Sequence, residues 1–279
     1  MPLKLMYITN DDTVARIAED SGVDWIFVDL EVKGKEERQG HLDTVISRHS
    51  MSDVLRIKGL LTRAKLLVRI NPIDRFSRDE IEQVIDSGGD IIMLPFFKTR
   101  HEVEMFVSLV DGRAQTCLLL ETPEAVSEVD SIIRVDGIDY VHVGLNDLHL
   151  GYGMKFMFEL LANGTVDMLC TKFREKGVPF GFGGVARLGG GLLPAEYVLS
   201  EHYRLGSSMV ILSRSFFDLR IGVETDEEGI RSAFSKGIKE IREYENWLTQ
   251  QEATFFSDNQ RKVQEIVSSV IREAGRTRG

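Results

Sequence analysis

Only two cysteines, Cys117 and Cys170, occur in 279 residues, and they form no CxxC pair. This points away from a disulfide framework and toward buried free thiols in a reducing compartment. No apolar run reaches the roughly 18 residues of a membrane span. Lys4 is followed by too short an apolar stretch for a secretory signal, so a cytoplasmic location without a membrane partner is expected. A basic excess is also missing: 34 Lys and Arg against 44 Asp and Glu give a formal charge of -10. Nucleic acid and anionic membranes select basic surfaces and are excluded as general partners, though a local basic pocket is not. There is no low-complexity tract and no boundary rich in Pro, Gly or Ser, so residues 1–279 are expected to form one domain.

What is present is ordinary for a globular chain, with 43% hydrophobic and 28% charged residues. Apolar runs of strand length recur eight times, at 3–9, 25–31, 65–71, 91–97, 116–121, 140–145, 179–184 and 207–213. Helical periodicity lies between them, as in Val14, Ile17 and Ala18 or Ile81, Val84 and Ile85, opened by polar caps such as Asn10 or Ser77. Eight such alternations predict an α/β fold, a (β/α)8 TIM barrel over about 3–220, against a doubly wound open sheet as the competing layout. Two more amphipathic segments follow, over about 225–276. Ile230, Phe234, Ile238, Ile241 and Leu248 make one apolar face. Val263, Ile266, Val267, Val270 and Ile271 make another, with Ser257 as its expected N-cap. A barrel needs one helix after its last strand. The surplus helix is expected either on its own barrel or in a subunit interface.

Active sites of such barrels lie at the C-terminal ends of the strands. The polar residues there are Asp29 and Glu31, two apart and so on one face, then Arg69 and Asn71, Glu121, Asn146 and Asp147, and Arg187 among glycines. Glu121 and Asp147 end consecutive runs, and paired carboxylates on one rim suit a hard divalent metal. Thr122 before Pro123 is the better helix cap, which leaves Glu121 for other work. Asp147 is equally a turn residue. Arg69 fits either an ion pair with Glu31 or recognition of an anionic substrate. Arg187 marks either an anion site or a tight turn, and His142, inside a strand, is expected to be packed.

The order "VDWIFVDLE", "VRIN", "SGGDIIMLP", "LLLETPEAV", "GIDYVHVGLNDLHLGYG" and "GFGGVA" resembles the HpcH/HpaI aldolase and citrate lyase β-subunit superfamily, from about Leu3 to Phe217. The resemblance implies a (β/α)8 barrel. It implies Mg2+ or Mn2+, or another divalent cation, on Glu121 and Asp147, and a 2-oxo acid of the pyruvate or oxaloacetate type chelating it. Arg69 matches the arginine at the oxo group. Backbone amides around Asn146 and Asp147 match the carboxylate site, and Glu31 matches an acid near the metal's water shell. The implied reaction is cleavage or formation of a 4-hydroxy-2-oxo acid, with an aldehyde as second product. A homo-oligomer, trimer or hexamer, built through C-terminal helices is implied as well.

Two departures stand out. Val32 occupies the place of the family's proton-relay histidine, and Leu119 that of a glutamine. His41 and His49 are the candidates to replace the missing base. An acyl-CoA lyase of the citrate or malyl-CoA type is the alternative, although "LKLMYITNDD" lacks that group's opening segment. A catalytically altered homologue that only binds 2-oxo acids is the third reading.

Overall fold

The computed structural model of the protein describes residues 2–32, 49–213, 216 and 226–276. Eight strands form: β1 (Lys4–Ile8), β2 (Trp25–Asp29), β3 (Lys65–Arg69), β4 (Ile91–Leu94), β5 (Gln115–Leu120), β6 (Tyr140–Val143), β7 (Phe180–Val185) and β8 (Met209–Leu212). All pair in parallel in chain order, and β8 returns to β1, so the barrel closes. Closure rules out the open sheet. It also satisfies the hydrogen-bonding groups an open edge would leave exposed.

Alternation along each strand divides the core in two. One set of side chains, including Met6, Trp25, Phe27, Leu67, Met93, Cys117, Leu119 and Met209, fills the barrel interior. The other faces the surrounding helices: α1 (Asp12–Ser21), α2 (Met51–Leu60), α3 (Ser77–Asp86), α4 (Arg100–Val110), α5 (Pro123–Ser127), α6 (Val129–Ile132), α7 (Leu145–Gly151), α8 (Glu159–Ala162), α9 (Thr165–Lys176) and α10 (Ala195–Leu205). Both cysteines are buried and unpaired. No helix among the described residues is long and apolar enough to cross a membrane.

Caps differ in detail from the sequence pattern. Asp11, not Asn10, caps α1 by accepting from the Val14 amide at 2.9 Å. Ser77 lies inside the first turn of α3, where its hydroxyl accepts from the Asp74 amide. Thr122 caps α5 as expected, with Pro123 at the first helical position.

Two long helices follow the barrel, α11 (Glu227–Leu248) and α12 (Ala253–Arg276). The expected face of α11 is buried, and it packs on α1, with Phe234 edge-on to Tyr7 at 4.9 Å. α12 lies against α10 and α8 of its own barrel and buries Val263 and Val267 there. Its start at Ala253 places Ser257 inside the helix, where the hydroxyl donates to the Ala253 carbonyl instead of capping.

Candidate active site

Register sets the site. Asp29 and Arg69 are direct partners across β2 and β3, at the C-terminal ends of both strands. The guanidinium donates through Nε and Nη2 to the two Asp29 oxygens, each at 2.8 Å, and Nη1 lies 3.3 Å from Glu31. Both carboxylates are almost fully buried. Burial opposes the charge on Arg69, but Asp29, then Glu31 and Glu121, outweigh it and hold the Arg69 pKa above its ordinary value. A guanidinium has five N–H donors, so this fixed cation retains donors beyond its bidentate pair. Phe27 lies under it, 5.7 Å from ring centroid to guanidinium carbon.

Across the mouth, Glu121 follows β5 and Asp147 lies in the first turn of α7, which starts directly after β6. Glu121 is 3% exposed and its Oε1 accepts from the Phe96 amide at 3.1 Å. A Cβ on Gly144 would come within 2.6 Å of its other oxygen, so only glycine lets the end of β6 pass this carboxylate. Arg69, Glu121, Asn146 and Asp147 line one cavity of about 360 Å3, together with His142, Met157 and the Gly183–Gly184 backbone. A larger depression of about 700 Å3 lies at the opposite end, by Lys65 and Gln115. There Lys58 is paired with Asp90 and Arg113 with Glu82. In barrels of this kind that end serves stability.

The remaining expected residues divide. Glu31 is buried behind Arg69. The backbone of Arg187 forms a turn, its carbonyl accepting from the Gly190 amide at 2.9 Å, and the side chain is not among those lining the cavity. The tight turn expected among these glycines is present. Val32 is 54% exposed and has no proton to move. His41 lies outside the described residues. His49 Nδ1 accepts from the Asp29 amide at 2.9 Å. The bond ties His49 to the C-terminal end of β2, where Asp29 pairs with Arg69.

His142 is the residue the sequence reading undervalued. It is fully buried, as expected, yet its ring forms part of the cavity floor. Its Nε2 donates to the Gly183 carbonyl at 3.0 Å, and Nδ1 has no hydrogen-bond partner among the described residues. Burial lowers its pKa to about 4 despite that bond, so the ring is neutral at pH 7. Parity gives the signal: His142 precedes Gly144 by two and pairs with Leu119, which points inward.

Among the described residues no group of three or more His, Cys, Asp or Glu side chains could hold a metal. Glu121 and Asp147 offer two hard carboxylates on one cavity wall. That donor set fits Mg2+ or Mn2+, which fill the rest of their coordination from water and substrate.

The sequence model of the HpcH/HpaI aldolase/citrate lyase family matches residues 4–159. A 4-hydroxy-2-oxovalerate aldolase from Novosphingobium aromaticivorans is 24% identical over 169 residues, covering 50% of this chain and 59% of that protein. A hydroxypyruvate/pyruvate aldolase from Roseobacter denitrificans is 26% identical over 172 residues, covering 50% and 60%. The chain thus spans about three fifths of the length of these two relatives. The HpcH/HpaI aldolase from Desulfitobacterium hafniense superposes with a TM-score of 0.60 at 17% identity, over 87% of this chain and 93% of that one, a likeness of fold.

Proposed function

The chain belongs to the HpcH/HpaI aldolase/citrate lyase family, and from that premise we propose that it is a divalent-metal-dependent carbon-carbon lyase that cleaves or forms a 4-hydroxy-2-oxo acid. The observation that carries this reading is a largely buried, permanently charged Arg69, its side chain 13% exposed, that shares one small cavity with Glu121 and Asp147. The 2-oxo acid is of the pyruvate or oxaloacetate type, and the second product is an aldehyde. The names of the two aldolase relatives support both halves.

Glu121 and Asp147 would hold the Mg2+ or Mn2+ ion, which when bound supplies Lewis-acid polarisation of the 2-oxo group. Arg69 adds fixed positive potential where negative charge grows on that oxygen as the bond between C3 and C4 breaks. Its pairing with Asp29 and Glu31 means no reorganisation is needed at that moment. The first-turn amides of Asn146 and Asp147, at the helix end where N–H groups lack intrahelical partners, would receive the substrate carboxylate. His142, neutral and apolar-walled, keeps a second charge out of the floor. The electron pair of the broken bond passes to C3, the 4-hydroxyl gives up its proton as the aldehyde forms, and C3 takes up a proton.

Exchange of the pyruvate methyl protons with deuterated solvent, followed by proton NMR in the presence of Mg2+ or Mn2+, tests the reading. The wild-type protein is expected to exchange them, and Glu121→Gln and Asp147→Asn to lose at least about a hundredfold in rate. Absence of exchange by the wild type rejects the proposal. Cleavage of malyl-CoA or citramalyl-CoA without action on free oxo acids would establish the thioester lyase instead.

A further inference from the structure

Beside the oxo-acid cavity lies a second, of about 480 Å3, which shares Glu121 and Asp147 with it and is otherwise walled by Phe96, Lys98, Pro123, Glu124 and Leu150. Phe96 holds φ at 51°; among the described residues the other non-glycine with positive φ is Asp111, which ends a helix. Such a conformation is costly for a bulky side chain and persists where the surroundings impose it. Here its amide is on Glu121 while its half-buried ring lines the second cavity. A reaction that joins two carbonyl compounds needs two compartments that meet at the reacting carbons. These two meet at the carboxylates assigned to the metal.

We propose that this second cavity is the subsite for the aldehyde, and that it selects an uncharged aldehyde with hydroxyl groups on its chain, held by Lys98 and Glu124. The proposal rests on the lyase reading above. Lys98 Nζ lies 2.9 Å from Glu124 Oε1, both side chains about half exposed. The pair is electrically neutral and combines a multiple donor with a multiple acceptor, which matches a hydroxyl group, itself donor and acceptor. With a divalent ion balancing Glu121 and Asp147, and Lys98 already balanced by Glu124, the cavity offers no net positive charge to hold an aldehyde that carries a carboxylate. Phe96, Pro123 and Leu150 offer apolar wall to the carbon chain. The Thr122 hydroxyl takes no part, because it donates to the Phe97 carbonyl at 2.7 Å. In the direction of condensation C3 of the donor gives up a methyl proton, the electron pair left there forms the new bond to the aldehyde carbon as the aldehyde π bond breaks onto its oxygen, and that oxygen takes up a proton.

Glyceraldehyde and propanal have the same number of carbons and differ in hydroxyl groups. With the full-length protein, Mg2+ and pyruvate, kcat/KM for glyceraldehyde is expected to exceed that for propanal by about tenfold or more, since a site built to bond hydroxyl groups rejects analogues without them. That ratio is expected to fall about tenfold in both Lys98→Met and Glu124→Gln. The side chains are at the surface, and circular dichroism checks that the variants fold. No preference in the wild type, a preference that survives both substitutions, or a better kcat/KM with glyoxylate overturns the subsite. Pyruvate methyl exchange needs no aldehyde and reads the donor half alone. Exchange without hydroxyl preference overturns the subsite and leaves the lyase standing; no exchange overturns both.

Discussion

Arg69 and His142 sit in the same cavity wall and show opposite ways of placing a titratable group in a barrel mouth. Arg69 stays charged because two buried carboxylates pair with it; His142 stays neutral because burial strips water from its ring and disfavours the charged form. The second case has a consequence for stability. The folded pKa of His142, about 4, is below the ordinary value of 6.5, so the unfolded chain binds more protons between those limits. Stability is therefore complete above about pH 6.5 and falls as pH drops toward 4. His202, stacked on Phe182 at 3.8 Å and also lowered by burial, acts in the same direction. Between pH 7 and 5 the His142 contribution to this loss is about 2 kcal/mol. Urea unfolding at the two pH values is expected to show a smaller difference in His142→Phe than in the wild type. Equal differences would show that His142 is not the group responsible.

At the scale of elements, α12 is held to the barrel by a polar contact inside an apolar seam. Asn259, 5% exposed, donates to the Tyr197 carbonyl at 3.2 Å and to Glu201 Oε1 at 2.8 Å. Glu201 is fully buried and its other oxygen binds Arg204. Asn259→Ala leaves a buried carboxylate oxygen short of a donor, which costs about 1–3 kcal/mol. A lowered urea midpoint with an unchanged slope is the expected result, and an unchanged midpoint would mean that the Asn259 contact does not hold the seam. The sequence predicted this helix and its stripe from period alone. It did not choose between the two surfaces offered to it, because an apolar stripe states what must be covered and not by what.

At the scale of the molecule, the eight-strand beat and the polar strand ends made the barrel and its active end legible in advance. Packing of α12 on its own barrel leaves the homo-oligomer implied by the family resemblance to be tested directly. Sedimentation equilibrium is expected to give three or six times the 31.5 kDa chain mass, and a monomer would reject the assembly. By itself the sequence determined the fold class, the strand ends and the positions of Arg69, Glu121, Asn146 and Asp147, because period and strand-end polarity are local properties of the chain. Only the tertiary structure decided which of these share a cavity. It closed β8 onto β1, aligned Asp29 with Arg69 and brought His142 into the floor. Those outcomes depend on register and closure between segments far apart in the chain, which no local pattern encodes.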